Sequence, residues 1–381
     1  MALFSSRQTF LGVDLGTSTS KIVELAEHGR KIELVTYAEA NASNLLVSPQ
    51  TGEQEAIDKT ISLLQQMMEK AGTTAKNVIA ALPGGVVFST VLMLPNISES
   101  EMEKAVRFAA TDVVPADIDE MVIGWSRVGS ESHMQTDRQI KADAPPATAA
   151  SSTAPKPKED PEQKKVNMDQ KVPVFVTAAP KDIVNRYITV FQRLGMTLLA
   201  LEVETFPLVR SLLPVPPTST LLVDIGAHAT TFHIIDKGIP RVSQTIDLGG
   251  YDLTKNTAQQ DGPSEAEMEK AKISFGILPE QDPAIRASLE SALAHQAQKA
   301  KELLTIYEQK EKHRIETSKL IGGGANLKGL QEYWSTAVGQ QTIIGNPWKD
   351  ISFQKQLEPV LTTIGPRYGV AVGLALRGFA Q

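Results

Sequence analysis

A short pattern that occurs twice constrains this chain more than any other feature. The apolar run Phe10-Leu11-Gly12-Val13 leads into Asp14-Leu15-Gly16-Thr17-Ser18, and Ile22, Val23 and Leu25 follow. About 210 residues later, Leu221 to Val223 lead into Asp224-Ile225-Gly226-Ala227-His228-Ala229-Thr230-Thr231, and Phe232, Ile234 and Ile235 follow. Each copy reads as strand, Asp-x-Gly, small residues, strand. A repeat of one supersecondary unit at that distance predicts two lobes of common ancestry.

The chemistry of the repeat suits a phosphate site, with an ordinary hairpin turn as the alternative for either copy taken alone. A tight hairpin tip of Gly and small hydroxyl residues turns backbone N–H groups outward, and such concave arrays hold anions. The candidate phosphate ligands are Gly16, Thr17, Ser18, Thr19 and Lys21 in the first copy. In the second they are Gly226, Ala227, His228 and Thr230. Asp14 and Asp224 stand just before the two turns, where a carboxylate can hold Mg²⁺ through the ion's retained waters. No G-x-x-x-x-G-K-[ST] run is present, and a strand rather than a helix follows each turn, which excludes both the P-loop and the dinucleotide fingerprint. No second His or spaced carboxylate pattern accompanies His228, so it reads as a hairpin-tip residue and not a metal ligand.

A third element is Leu320-Ile-Gly-Gly-Gly-Ala-Asn-Leu-Lys-Gly-Leu330. A buried strand running into Gly322, Gly323 and Gly324 offers bare backbone that a flat adenine ring can approach closely. A helix is expected to follow from about Asn326.

At 381 residues the chain exceeds one compact core. A net charge of −6 argues against nucleic acid as the main partner. The absence of cysteine excludes disulfides and thiolate nucleophiles. There is no apolar run of about 18 residues and no signal-peptide pattern, so a cytoplasmic protein without direct membrane insertion is expected. Helical periodicity falls at 54–71 and 181–194, and Ser98 with Glu101 forms a capping-box pattern for a helix reaching about Val113. Strands are expected at 78–82, 86–93, 121–128 and 172–178. Aliphatic and aromatic residues almost vanish between Ser130 and Lys171, so that segment cannot offset its ordering entropy by burial. It reads as a flexible insert between two strands of one small subdomain, with an interdomain linker as the alternative. A crossing helix is expected from Glu204 to about Leu213, closed by Pro214, Pro216 and Pro217.

Phosphate hairpin, second phosphate hairpin and Gly-Gly-Gly loop, in that order, resemble the superfamily of actin, Hsp70 and the sugar kinases. Within it the chain resembles the FtsA-like branch and is most similar to the PilM family of type IV pilus assembly. The stretches 101–125, 345–351 and 365–378 carry that narrower likeness, above all the helix ending in Val113-Val114-Pro115-Ala116-Asp117. The resemblance implies an α/β, actin-like (ribonuclease H-like) two-lobed fold with an inserted FtsA-type 1C subdomain. Its divisions would be 1–77 for the first lobe, 78–199 for the insert with its loop at 130–171, 200–217 for the crossover, and 218–381 for the second lobe, with the last helix free to return to the first. It implies ATP and Mg²⁺ as ligands, with Glu269 and Lys272 by the ribose and base. A surface ion pair is the alternative for those two residues. Glu204 stands where the superfamily orients water at the γ-phosphate, and capping of the crossing helix is the plainer role.

The function implied is an ATP-binding scaffold, at most a weak ATPase, peripheral to the inner membrane. Its expected partner is the cytoplasmic N-terminal peptide of PilN, with other inner-membrane pilus components and the motor ATPase as indirect partners and self-association left open. The alternatives are an FtsA-like division protein, or an ATPase or kinase of the same superfamily. The chain stops at Gln381 with no further amphipathic helix, which speaks against the division protein.

Overall fold

The computed structural model of the protein describes residues 8–127, 170–255 and 264–379, apart from residues 30 and 49. All but the last two positions of the expected loop at 130–171 lie outside the described residues.

The first lobe is built on β1 (Thr9–Leu15), β2 (Ser20–His28) and β3 (Lys31–Ala40), followed by α1 (Glu53–Ala71) and β4 (Asn77–Leu82). The chain then leaves the sheet through β5 (Phe88–Pro95), α2 (Glu99–Thr111), β6 (Met121–Arg127) and β7 (Lys171–Pro180). It returns through α3 (Lys181–Arg193) to β8 (Thr197–Val203), and α4 (Thr205–Leu212) crosses to the second half. There β9 (Thr220–Ile225), β10 (Thr230–Asp236) and β11 (Ile239–Ile246) precede α5 (Gly250–Lys255), α6 (Glu265–Phe275) and α7 (Pro283–Glu311). The chain closes with β12 (Thr317–Ile321), α8 (Leu330–Trp334), β13 (Gln341–Ile344), α9 (Glu358–Ile364) and α10 (Gly369–Arg377).

The two large sheets have one topology. Their orders are β3-β2-β1-β4-β8 and β11-β10-β9-β12-β13, each a three-strand antiparallel meander extended by two parallel strands. Strand β1 is buried on both faces, as a central strand covered by helices must be. Leu11, Val13 and Leu15 pack with Ile57, Ile61 and Leu64 of α1 and with Tyr187 and Phe191 of α3. The opposite face meets α10, and Gly12 is what permits it: a Cβ there would lie 2.0 Å from the Ala371 carbonyl oxygen.

Helices α4 and α10 form the seam between the sheets. Leu208, Val209 and Leu212 of α4 and Val370 and Leu374 of α10 share a core with Phe10 and Ile79 of the first sheet and Leu222 and Ile321 of the second. Gly373 lets α10 approach α4, since a Cβ would fall 1.9 Å from the Pro207 carbonyl oxygen. The Gly369 and Gly373 spacing therefore serves close helix packing, whereas Gly365 lies in a separate 3-10 turn against Trp348. From Trp348 onward the chain packs on β2 and β3: Trp348, Ile351, Leu361 and Tyr368 bury Val23 and Leu25, and Leu34 N–H donates to Ser352 O at 2.9 Å.

The inserted segment forms its own sheet, ordered β5-β7-β6. One face is covered by Met102, Val106 and Ala110 of α2, a helix opened by the expected Ser98–Glu101 capping box. On the other face Phe175 meets Phe206 of α4 edge-on, centroids 4.9 Å apart. The expected helix from Asn326 is a 3-10 turn over Gly323–Asn326 instead, and α8 starts only at Leu330. Gly329, at φ +84°, turns the chain between them.

Candidate functional site

The two hairpin tips are built alike. Gly16 N–H donates to Thr19 O at 3.1 Å, and Gly226 N–H donates to Ala229 O at 2.9 Å. Gly16 is needed for closure, because a Cβ would lie 2.6 Å from Thr19 O, and a Cβ on Gly226 would crowd Ala229 O at 3.0 Å. Among the described residues, the N–H groups of Thr17, Ser18, Ala227 and His228 donate to no backbone carbonyl outside the helices and ladders. Outward N–H donors at a tight turn form the kind of array that suits an anion.

Three carboxylates gather behind the tips with one ammonium. Asp14 and Asp224 occupy equivalent places in β1 and β9, and Glu204 precedes α4. Burial is the largest influence on all three, and it disfavours the charged form. Burial raises Asp14, with Lys21 opposing. Burial and then the charge of Asp14 push Asp224 up to about 6. Burial, Asp14 and Asp224 push Glu204 up to about 8. Lys21, paired with Asp14 across the β1–β2 ladder, donates to Thr19 Oγ1 at 2.5 Å. The cluster carries more negative than positive charge, so it suits a cation. No group of three such side chains among the described residues is placed to hold a metal ion directly.

Glu204 does not cap α4, contrary to the plainer expectation. Its side chain makes no capping bond. It accepts the Gly84 N–H at 3.2 Å.

The Gly-Gly-Gly loop lies directly against the second tip. A Cβ on Gly322 would fall 2.3 Å from Asp224 Oδ1, and one on Gly324 would fall 2.2 Å from Ile225 Cγ2. Gly322 also sits at φ +81°, which L side chains rarely adopt. Gly323 is exposed beside the Arg367 side chain. The Asn326 amide turns to Thr363 O at 3.1 Å, toward α9.

Glu269 and Lys272 come to the same region on α6. Lys272, only 9 % exposed, donates to Gly250 O at 2.6 Å and to Thr254 Oγ1 at 2.7 Å, and pairs with Glu269 Oε2 at 2.5 Å. Its three donors thus meet three acceptors. Gly250 N–H in turn donates to Gly226 O at 2.9 Å. At the far end of α6, Ile277 N–H donates to Lys328 O at 3.0 Å. Helix α6 therefore ties the second hairpin to the Gly-Gly-Gly loop. His228 is exposed at its tip, and its ring lies 5.3 Å from that of Tyr251.

Sequence reasoning missed several parts of this arrangement. Gly249 lies under the second tip, where a Cβ would be 2.5 Å from Ala227 O. The Asp247-Leu-Gly-Gly250 run after β11 was its available signal. Asn44 buttresses the first tip: its N–H donates to Gly16 O at 2.9 Å and its amide to Leu15 O at 3.0 Å. No local pattern marks it.

Two five-stranded sheets of one topology, a helical seam and facing Asp-x-Gly hairpins define an actin-like, two-lobed α/β protein. A PilM–PilN type IV pilus biogenesis complex has a similar structure, with 23% identity and TM-score 0.76 over 97% of this chain and 98% of that one. The ethanolamine utilization protein EutJ of Carboxydothermus hydrogenoformans matches at 16% identity and TM-score 0.51 over 97% of this chain and 89% of its own. The chain belongs to the family of type IV pilus assembly protein PilM, whose family model matches residues 12–145 and 162–379.

Proposed function

We propose that this protein is a nucleotide-binding scaffold of the type IV pilus machine, holding Mg·ATP between its lobes and binding the cytoplasmic N-terminal segment of a PilN protein. The observation that carries the nucleotide reading is the facing pair of hairpin tips with unspent N–H donors, backed by a carboxylate cluster in charge deficit.

In this reading the N–H groups of Thr17 and Ser18, with Thr19, receive phosphate oxygens from one side, and those of Ala227 and His228 from the other. Gly16 and Gly226 close the two turns, and the expected ligand Thr230 is fully buried and spends its hydroxyl on Leu248 O. Lys21 adds a positive charge once it leaves Thr19. Asp14 and Asp224 hold Mg²⁺ through its waters. The ion, when bound, neutralises phosphate charge. Gly322, Gly323 and Gly324 form the floor for the adenosine. Glu269 faces the ribose with the oxygen that Lys272 does not use, and Lys272 keeps α5 and Gly250 under the tip. Asn326 supports the loop through Thr363. In this reading Glu204 would orient water at the γ-phosphate, for at most a weak ATPase.

The partner reading draws on membership of the PilM family and on the structural likeness to a PilM–PilN complex. Among the described residues, strand β5 is an edge strand of the small sheet and pairs only with β7. Val91 and Met93 lie on its Phe175 face, and Met93 is 55 % exposed. An extended peptide adding to such an edge gains ladder hydrogen bonds and side-chain pockets together. No helix of the described residues is long and apolar enough to cross a membrane, so attachment to the inner membrane from the cytoplasm would run through the partner. Calorimetric titration with Mg·ATP tests the nucleotide half. Saturable one-to-one binding supports it, and no heat at millimolar nucleotide removes it.

A further inference from the structure

The geometry points to a mechanical link: the residues that shape the phosphate site also grip the inserted subdomain at both of its chain junctions, so occupancy of the site sets the mobility of the small sheet. This rests on the nucleotide-binding reading above.

The entry junction lies just after β4, where the 3-10 turn Gly84–Val86 leads into β5. The Gly84 N–H at that turn is held by the Glu204 carboxylate at 3.2 Å. That carboxylate feels both Asp14 and Asp224, so a cation placed between the tips changes the charge it faces. The exit junction is as direct, since β7 ends at Pro180 and α3 begins at Lys181. On α3, the fully buried Tyr187 accepts a hydrogen bond from Asn44 Nδ2 at 2.7 Å. The same amide donates to Leu15 O at 3.0 Å, and Asn44 N–H donates to Gly16 O at 2.9 Å. One asparagine therefore spans the first phosphate tip and the helix that leads out of the small sheet. Between the junctions, Phe206, two residues beyond Glu204, packs edge-on against Phe175 of β7.

The Asn44 bonds and the Phe206–Phe175 packing transmit because they are buried, whereas the Gly84–Glu204 bond is exposed and tethers the entry turn more weakly. A buried donor left without its acceptor costs more than the bond itself contributes, so a shift of the tip is followed by its partners. Phosphates engage the N–H groups of Thr17 and Ser18, next to the Gly16 carbonyl that Asn44 holds. Asn44 and Tyr187 are positioning residues and do not touch the ligand. Linkage then makes the effect reciprocal: a peptide seated on β5 changes nucleotide affinity by the factor by which nucleotide changes peptide affinity.

The test is hydrogen exchange on the full chain with and without saturating Mg·AMPPNP, with binding verified by calorimetry. In the unaltered protein the amides of β5, β6 and β7 should exchange at least about threefold more slowly when nucleotide is bound. Tyr187→Phe should bind nucleotide about fivefold more weakly and lose that protection in the small sheet. Phe206→Leu leaves both tips untouched, and should keep the affinity and lose part of the protection. Verified binding with no change in the small sheet overturns the link and leaves the nucleotide reading standing. So does full protection in both variants. No binding by the unaltered protein overturns the nucleotide reading itself, and the link with it.

Discussion

Gly322 and Asp224 share a space that admits no third group: a Cβ on the glycine would lie 2.3 Å from the carboxylate Oδ1. The glycine stands at φ +81° as well. Gly322→Ala must therefore push Asp224 or the loop aside. Such overpacking costs about 1–3 kcal/mol in well-packed surroundings. We expect Mg·ATP affinity to fall by at least the corresponding factor, about tenfold. Wild-type affinity in a calorimetric titration of the variant would show that the loop and the second tip do not form one site.

Asp14 lies at the centre of the carboxylate cluster and raises both Asp224 and Glu204. Asp14→Ala relieves that repulsion, so the empty protein should not lose stability, while Mg²⁺-dependent nucleotide binding should weaken about tenfold or more. Thermal unfolding and titration with and without Mg²⁺ separate the two effects. An unchanged affinity would place the metal elsewhere.

The same cluster sets a pH dependence. The folded values of Glu204, about 8, and Asp224, about 6, lie above ordinary carboxylate values. A raised acid binds more protons folded than unfolded, so its protonated form favours folding. That stability is present in full below pH 4 and is lost as pH rises through 6 and then 8. Glu204→Gln should accordingly stabilise the nucleotide-free protein at pH 8 by on the order of 2–4 kcal/mol, and by little at pH 4. Urea unfolding at the two pH values reads the difference. Equal effects at both would contradict the burial of a charged Glu204.

Much of this site was legible because its chemistry is local. An Asp-x-Gly turn between two apolar strands appears in consecutive residues, and its second copy confirms the unit. The Gly-Gly-Gly loop is equally local. What could not be read depends on contacts between distant positions. Asn44 reaches Tyr187 across 143 residues and Glu204 reaches Gly84 across 120, and neither pair has a sequence signature. Helix α7 was faint for another reason: Gln296, Ala297 and Ala300 occupy much of its buried face, which blunts the apolar stripe. The return of the chain to the first lobe at Trp348 rests on aromatic packing against β2 and β3, which no periodicity announces.

The seam between the lobes has its own ion cluster. Glu202 of β8 is fully buried, with Arg210 of α4 at 2.9 and 3.0 Å and Arg377 of α10 also paired to it. Burial works to raise its value, but the two guanidinium charges outweigh it and hold the carboxyl below the usual range. Removing one member of such a cluster strands buried charge at a cost of about 3–5 kcal/mol. Glu202→Ala should lose that much in denaturant unfolding. A lowered acid contributes stability above its unfolded value of about 4.3, which is lost as pH falls through the folded value. A loss below about 1 kcal/mol would mean that the cluster does not brace α4 and α10.

The most direct test of the account is a titration of the purified, Mg·ATP-loaded protein with the cytoplasmic N-terminal peptide of its cognate PilN. The account predicts saturable one-to-one binding that a scrambled peptide does not reproduce. No binding at several hundred micromolar peptide, on the order of a 5 kcal/mol ceiling, would contradict the PilN-binding scaffold reading and leave the family membership and the actin-like fold standing.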